Sequence, residues 1–148
     1  MPPNRVTVVG AGLGGALVAN YLARAGHVVT LLDRLPDPRG ATRVRGRSIN
    51  LALSTRGLAA LEELGLADEV MRTAVPMRGR MVHSPSGALA YQPYGTESGQ
   101  AINSVSRSGL NITLLNAAAR HANVSMVFEY PCVDVNLETG DVTIENAE

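Results

Sequence analysis

The sequence predicts an α/β fold, with a parallel sheet opened by a βαβ unit and a β-rich region later in the chain. Three observations carry that prediction. A β-branched run, Arg5 to Val9, ends in the glycine-rich turn GAGLGG at 10–15. Helical spacing follows from Ala16 to Ala25, through Leu17, Tyr21 and Leu22, and Gly26 stops it. A second apolar run, His27 to Leu32, then ends at the acidic residue Asp33.

The glycines have separable jobs in such a unit. Gly10 makes the tight turn, Gly12 lets backbone approach a pyrophosphate, and Gly15 lets helix and strand pack closely. The helix N-terminus offers free N–H groups to the anion. Asp33 accepts hydrogen bonds from ribose hydroxyls, and a carboxylate there disfavours a 2′-phosphate. A lone G-x-G-x-x-G is weak evidence, but strand, turn, helix, strand and acid in register make a Rossmann-like dinucleotide site.

Composition bounds what surrounds that site. A chain of 148 residues with 45% hydrophobic and 18% charged content is one folded domain with a sizeable core. Aromatics supply only 3%, so Val, Leu, Ile, Ala and Met build the core. Zero net charge argues against a general nucleic-acid or anionic-membrane binder. All 13 basic residues are Arg, so lysine-based catalysis is excluded. The single cysteine, Cys132, excludes an internal disulfide and reads as a small core residue. The three histidines lack ligand spacing, and no metal site is expected. Residues 6–23 are apolar, but glycines and Asn20 break the run below the roughly 18 residues a membrane span needs. The expected setting is reducing and cytoplasmic, where the sequons at Asn111 and Asn123 carry no sugar.

After Asp33 the chain departs from a plain NAD domain. Pro36, Pro38, Gly40 and Gly46 make a loop of residues 34–48. Arg34, Arg39, Arg43, Arg45, Arg47 and Arg56 all fall in or beside it. A loop of this kind lays chain along an elongated cofactor and suits FAD better than NAD. The alternation of Ile49, Leu51 and Leu53 then predicts a half-buried strand. Residues 54–74 form an amphipathic helix broken at Gly65, with Leu58, Leu61 and Leu64 inward. GRMVHS, the turn PSG and ALAYQPY read as a hairpin. Ser108 caps a helix burying Leu110, Leu114 and Leu115. Val124 to Phe128 is a strand, and VDVN and VTIE pair around ETGD.

RGRSINLALSTRG (45–57), PMRGRMVHSPSG (76–87), PYG (93–95) and SVSRSGLN (104–111) resemble the kynurenine 3-monooxygenase family of FAD-dependent aromatic hydroxylases. The likeness runs from about residue 5 to residue 130, in order. It implies an incomplete flavoprotein hydroxylase fold, with FAD-binding parts near 5–75 and 100–148 and a substrate-side hairpin near 76–99. It implies that Gly10, Gly12, Gly14 and Gly15 hold the FAD pyrophosphate and that Asp33 holds the adenosine ribose, where relatives commonly carry Glu. Relatives often place Arg two positions later; this chain has Leu35 there, with Arg34 beside the acid. Asn50 and Ala52 would pass the ribityl chain and flavin ring, Arg47 would approach the phosphate or ribityl region, and Arg107 matches a flavin-contacting arginine. Cys132 would lie near adenine. Arg45, Arg47 and Arg56 are each equally suited to bracing the loop by capping carbonyls. Arg80 and Tyr94 match the pair that grips the substrate's α-carboxylate, a planar guanidinium fork with a phenol beside it. No residue is nominated for proton transfer.

The resemblance further implies NADPH as electron donor, dioxygen as co-substrate and kynurenine as substrate, with homo-oligomers left open. Members are much longer, so an N-terminal fragment, a truncated gene product or a degenerate copy is expected, with exposed strand edges that favour aggregation. Two rivals remain at this point: another flavin aromatic-acid monooxygenase, and a non-catalytic nucleotide-binding fragment.

Overall fold

A computed structural model describes residues 4–40, 50–96 and 100–145. The elements run β1 (Arg5–Val9), α1 (Leu13–Arg24), β2 (Val28–Leu32), β3 (Asn50–Leu53), α2 (Thr55–Glu63), α3 (Ala67–Met71), β4 (Val75–Met77), β5 (Gly79–His83), β6 (Leu89–Pro93), β7 (Ile102–Ser106), α4 (Arg107–Ala119), β8 (Val124–Val127), β9 (Cys132–Val135) and β10 (Val142–Ile144). The chain divides into two units, one of residues 1–47 and 108–148, the other of residues 48–107.

The first unit is the Rossmann-like part. β1, β2 and β8 form a parallel sheet in the order β1-β2-β8, with Val6 opposite Val29 and Leu31 opposite Met126. Central β2 carries the core, Val29 and Leu31 being fully buried, as parallel strands covered on their faces require. α1 begins at Leu13, three residues before the apolar spacing suggests. It buries Ala16, Ala19, Asn20 and Ala23, while Leu17, Tyr21 and Leu22 are only half-buried. Those buried positions follow i, i+3, i+4, i+7 spacing, so the helical period holds and the alanine face is the covered one. Small residues line the contact because the helix lies close to the chain below it, and Gly15 in its first turn answers the same demand.

Asparagines stitch this unit together. Asn20, 2% exposed, donates through Nδ2 to the Ala16 carbonyl at 2.8 Å and the Leu114 carbonyl of α4 at 3.0 Å. Asn123 donates to the carbonyls of Ala23 (2.9 Å) and His27 (2.7 Å), fixing the end of α1 and the entry to β2 against the start of β8. Both asparagines therefore have internal work as amides, and Asn123 is one of the two sequon residues. α4 starts at Arg107, so Ser108 lies inside the helix instead of capping it. The cap position falls on Ser106, a residue with the same hydroxyl, where strand passes into helix without a linker. Leu114 and Leu115 are buried as expected, and Leu110 is half-buried.

The loop after β2 runs beside the end of β8 through hydrogen bonds from Tyr130 N to the Asp33 carbonyl and from Glu129 N to the Leu35 carbonyl. Arg39 forks onto Asp37 (Nε to Oδ1 2.9 Å, Nη2 to Oδ2 2.6 Å) and lies 5.8 Å above the Phe128 ring. The Arg39 hydrogen bond holds the Asp37 carboxyl below its usual range against the opposing effect of partial burial. Cys132 is half-buried at the start of the β9–β10 ribbon, so the expectation of a core cysteine fails. A two-stranded ribbon leaves even its apolar residues open, Val133 at 48% and Val135 at 41%.

In the second unit, antiparallel β3, β7 and β4 form a sheet in that order, with Ala52 opposite Ser104 and Pro76 on an edge strand. α2 is capped by Ser54, whose Oγ accepts from Gly57 N at 3.3 Å. The expected break at Gly65 is present, at φ +71°, and Leu61, Leu66 and Val70 are buried around it. β5 and β6 pair as the expected hairpin.

Replacing Asn123 by Ala leaves the Ala23 and His27 carbonyls without that donor, a cost of about 1–3 kcal/mol. Thermal unfolding of Asn123→Ala should fall by several degrees relative to wild type; an unchanged midpoint would show that the two bonds carry no stability.

Candidate functional site

The turn between β1 and α1 is shaped by backbone before any side chain enters. Gly10 sits at φ +101°, a conformation that L side chains rarely adopt, and its N–H donates to the Leu32 carbonyl at 2.7 Å. A Cβ on Gly15 would collide with the Gly10 carbonyl oxygen and press on Val8. A Cβ on Gly12 or Gly14 would meet nothing within 4 Å. One glycine is therefore required by packing, while two others keep a face of the turn bare.

That bare face has the electrostatics of an anion site. Gly12 caps α1 without any side-chain hydrogen bond, and the first turn holds no acidic residue. The N-terminal amides and the positive end of the helix dipole are left available to an incoming negative group. The space a Cβ would fill at Gly12 and Gly14, with an uncapped helix end behind it, fits a pyrophosphate.

Asp33 stands beside this turn at the end of β2. Its Oδ2 accepts from Ala11 N at 2.7 Å and its Oδ1 from Leu35 N at 2.8 Å. The carboxylate thus holds the turn on one side and its own loop on the other, with lone pairs left on both oxygens. Sequence reasoning assigned Asp33 to a ligand and missed its hold on Ala11. That bond follows from a short side chain reaching back to the turn. Asn111 was missed as well: its Nδ2 donates to the Ala11 carbonyl at 3.2 Å, so Ala11 is held at both N–H and C=O.

Arg34 is exposed next to Asp33, and Cys132 opens β9 with its thiol 3.7 Å from the Asp134 carbonyl. Asn50 and Ala52 are exposed positions of β3, whose alternate residues Leu51 and Leu53 are half-buried. Arg107 is the first residue of α4 and is exposed. Arg45 and Arg47 lie outside the described residues.

The hairpin brings Arg80 and Tyr94 to one face. Arg80 pairs with Gln92 across the strands, and Tyr94 N donates to the Arg78 carbonyl at 3.0 Å, extending the same register. Alternation then sets Arg80, Gln92 and Tyr94 on one side, with Met81, Tyr91, His83 and Leu89 on the other. Arg80 Nε donates to Gln92 Oε1 at 2.8 Å, which leaves both Nη groups as a fork for a carboxylate. On the opposite face the Tyr91 ring lies over Gly79, where a Cβ would come within 2.5 Å of its Cζ and hydroxyl.

The chain matches the FAD binding domain family over residues 4–145. It belongs to that family. The kynurenine 3-monooxygenase of Myxococcus xanthus (strain DK1622) is 52% identical over 141 residues, a stretch covering 95% of this chain and 30% of that protein. The kynurenine 3-monooxygenase of Anopheles gambiae is 44% identical over 142 residues, covering 96% of this chain and 29% of its own length. The chain thus spans about 30% of the curated relatives it matches. Among solved structures, p-nitrophenol 4-monooxygenase PnpA from Pseudomonas putida DLL-E4 superposes with a TM-score of 0.74 at 20% identity, over 96% of this chain and 36% of that one. The shared fold is that of a flavoprotein hydroxylase, represented here by part of its length. Among the described residues no helix is long and apolar enough to cross a membrane.

Within a family defined by FAD binding, the double hold on Ala11 acts on the turn that carries the amides. Asp33→Ala removes a charge-assisted acceptor worth about 1.5–3 kcal/mol. FAD affinity, read from quenching of flavin fluorescence, should weaken by tenfold or more, and an affinity within twofold of wild type would contradict the assignment.

Proposed function

We propose that this chain forms the dinucleotide-binding part of an FAD-dependent monooxygenase. The enzyme hydroxylates L-kynurenine to 3-hydroxykynurenine, with NADPH as electron donor and dioxygen as the source of the new oxygen. The observation that carries the reading is the identity to kynurenine 3-monooxygenases, which extends through the glycine turn, the β3–β7 pair and the hairpin. The single cysteine agrees with a reducing, cytoplasmic setting.

On this reading the glycines at 10, 12, 14 and 15 admit the pyrophosphate to the α1 amides. Asp33 accepts from the adenosine ribose with the lone pairs that Ala11 and Leu35 leave free. Arg34, Arg47, Ala52 and Arg107 are assigned contacts with FAD, and Cys132 a place at its adenine end, by their match to the kynurenine 3-monooxygenase motifs. Bound FAD would supply the redox chemistry, taking reducing equivalents from NADPH and activating dioxygen.

Arg80 and Tyr94 hold the substrate. The Gln92 carbonyl fixes the guanidinium through Nε, so that its Nη pair can meet both oxygens of the amino-acid carboxylate. The Tyr94 hydroxyl adds a directed hydrogen bond. These groups orient the aromatic ring and leave the chemistry to the cofactor, which is why no proton-transfer residue is assigned.

The test is NADPH oxidation by the complete protein with and without kynurenine. Wild type should oxidise NADPH faster when kynurenine is present, and Arg80→Ala should raise the KM for kynurenine about tenfold to hundredfold, the equivalent of a lost charge-assisted pair. Preference for a benzoate- or salicylate-type acid, or an unchanged KM in Arg80→Ala, would overturn the assignment.

A further inference from the structure

Among the described residues, one buried side-chain polar atom has no hydrogen-bond partner: Oδ1 of Asn111. A buried acceptor left unmatched costs about 1–3 kcal/mol, so it calls for a physical explanation. Asn111 lies near the start of α4, and the other end of its amide donates to the Ala11 carbonyl at 3.2 Å. Ala11 is 3% exposed and sits between Gly10 and Gly12 in the turn. Because Ala11 presents a carbonyl there, only the amide nitrogen can face it, and the position of Oδ1 follows from that contact.

Asn20 and Asn123 each spend Nδ2 on two backbone carbonyls, the pattern of a structural tie. Asn111 makes one such tie, to the glycine turn, and its oxygen is buried without a partner. The tie to Ala11 accounts for the amide nitrogen, and the fold gives the buried oxygen no partner.

We propose that Asn111 is a nucleotide-binding residue: anchored on Ala11 through Nδ2, it holds Oδ1 as the acceptor for a sugar hydroxyl of FAD. The turn's amides supply donors, which suit the pyrophosphate. A phosphate carries no donor to satisfy Oδ1, whereas the ribose and ribityl hydroxyls do. Asn111 thereby complements the glycines with the opposite hydrogen-bonding sense. The inference rests on the reading that this turn binds FAD.

The experiment titrates FAD into apo-protein prepared from the complete flavin-loaded protein, with melting temperatures measured on the same apo samples. Wild type is the control, and failure of wild type to bind FAD would overturn the underlying reading and not the role of Asn111 alone. Given wild-type binding, Asn111→Leu should raise the FAD Kd at least tenfold, while Asn123→Ala, which also loses ties to backbone carbonyls, leaves the Kd within twofold of wild type although both apo proteins melt lower. An affinity within twofold of wild type for Asn111→Leu, or an equal loss of affinity in Asn123→Ala, would overturn the proposal. Asn111→Ala should show the same loss of affinity as Asn111→Leu. If neither variant folds, the wild-type side-chain amide resonances of Asn111 decide: they should shift on saturation with FAD, and unmoved resonances would reject the role.

Discussion

The dinucleotide unit depends on the close approach of α1 to the turn that precedes it. At Gly15 the helix backbone lies so near the Gly10 carbonyl that no side chain fits between them. Gly10 can present that carbonyl because its backbone is in the left-handed region, and the Leu32 carbonyl fixes its amide from β2. This contact sets where the helix begins and where its first amides point. It also selects the small residues Ala16, Ala19 and Ala23 on the buried face. A larger residue at any of these places would push the helix off the sheet and carry the amides away from a bound phosphate.

Around that contact the chain uses polar groups as clamps. Asp33 takes the N–H of Ala11 and Asn111 takes its carbonyl, so a residue with no functional side chain is the most constrained point of the turn. Binding a dinucleotide then needs little rearrangement, and the ordering cost is met when the protein folds. The hairpin applies the same economy to a flexible arginine, tying Nε to Gln92 so that fewer rotamers remain to be lost when a carboxylate arrives.

Much of this was legible in the sequence, for reasons that differ by element. The βαβ unit announced itself because three glycines, two apolar strands and an acid each answer a separate steric or electrostatic demand at fixed spacing. The β5–β6 hairpin followed from its turn chemistry, and the Gly65 break from the left-handed conformation a helix end adopts. What escaped was tertiary. Apolar periodicity marked a helix through Leu17, Tyr21 and Leu22 and gave no sign that its covered face is Ala16, Ala19, Asn20 and Ala23, because pattern reading weighs hydrophobicity and cannot see how near the sheet lies. The same weighting put Cys132 in a core that a two-stranded ribbon does not have. The work of Asn20, Asn111 and Asn123 was invisible because each partner is a backbone carbonyl distant in sequence or supplied by a helix. Asp33 was assigned to a ligand before its bond to Ala11 could be seen.

The central claim is that the turn after β1 cups a diphosphate with the first amides of α1. Backbone amide shifts during an FAD titration test it directly. The largest changes should fall on Gly12, Leu13 and Gly14, with smaller ones at Ala11 and Asp33. A protein that binds FAD while those amides stay unperturbed would place the cofactor elsewhere and contradict the account.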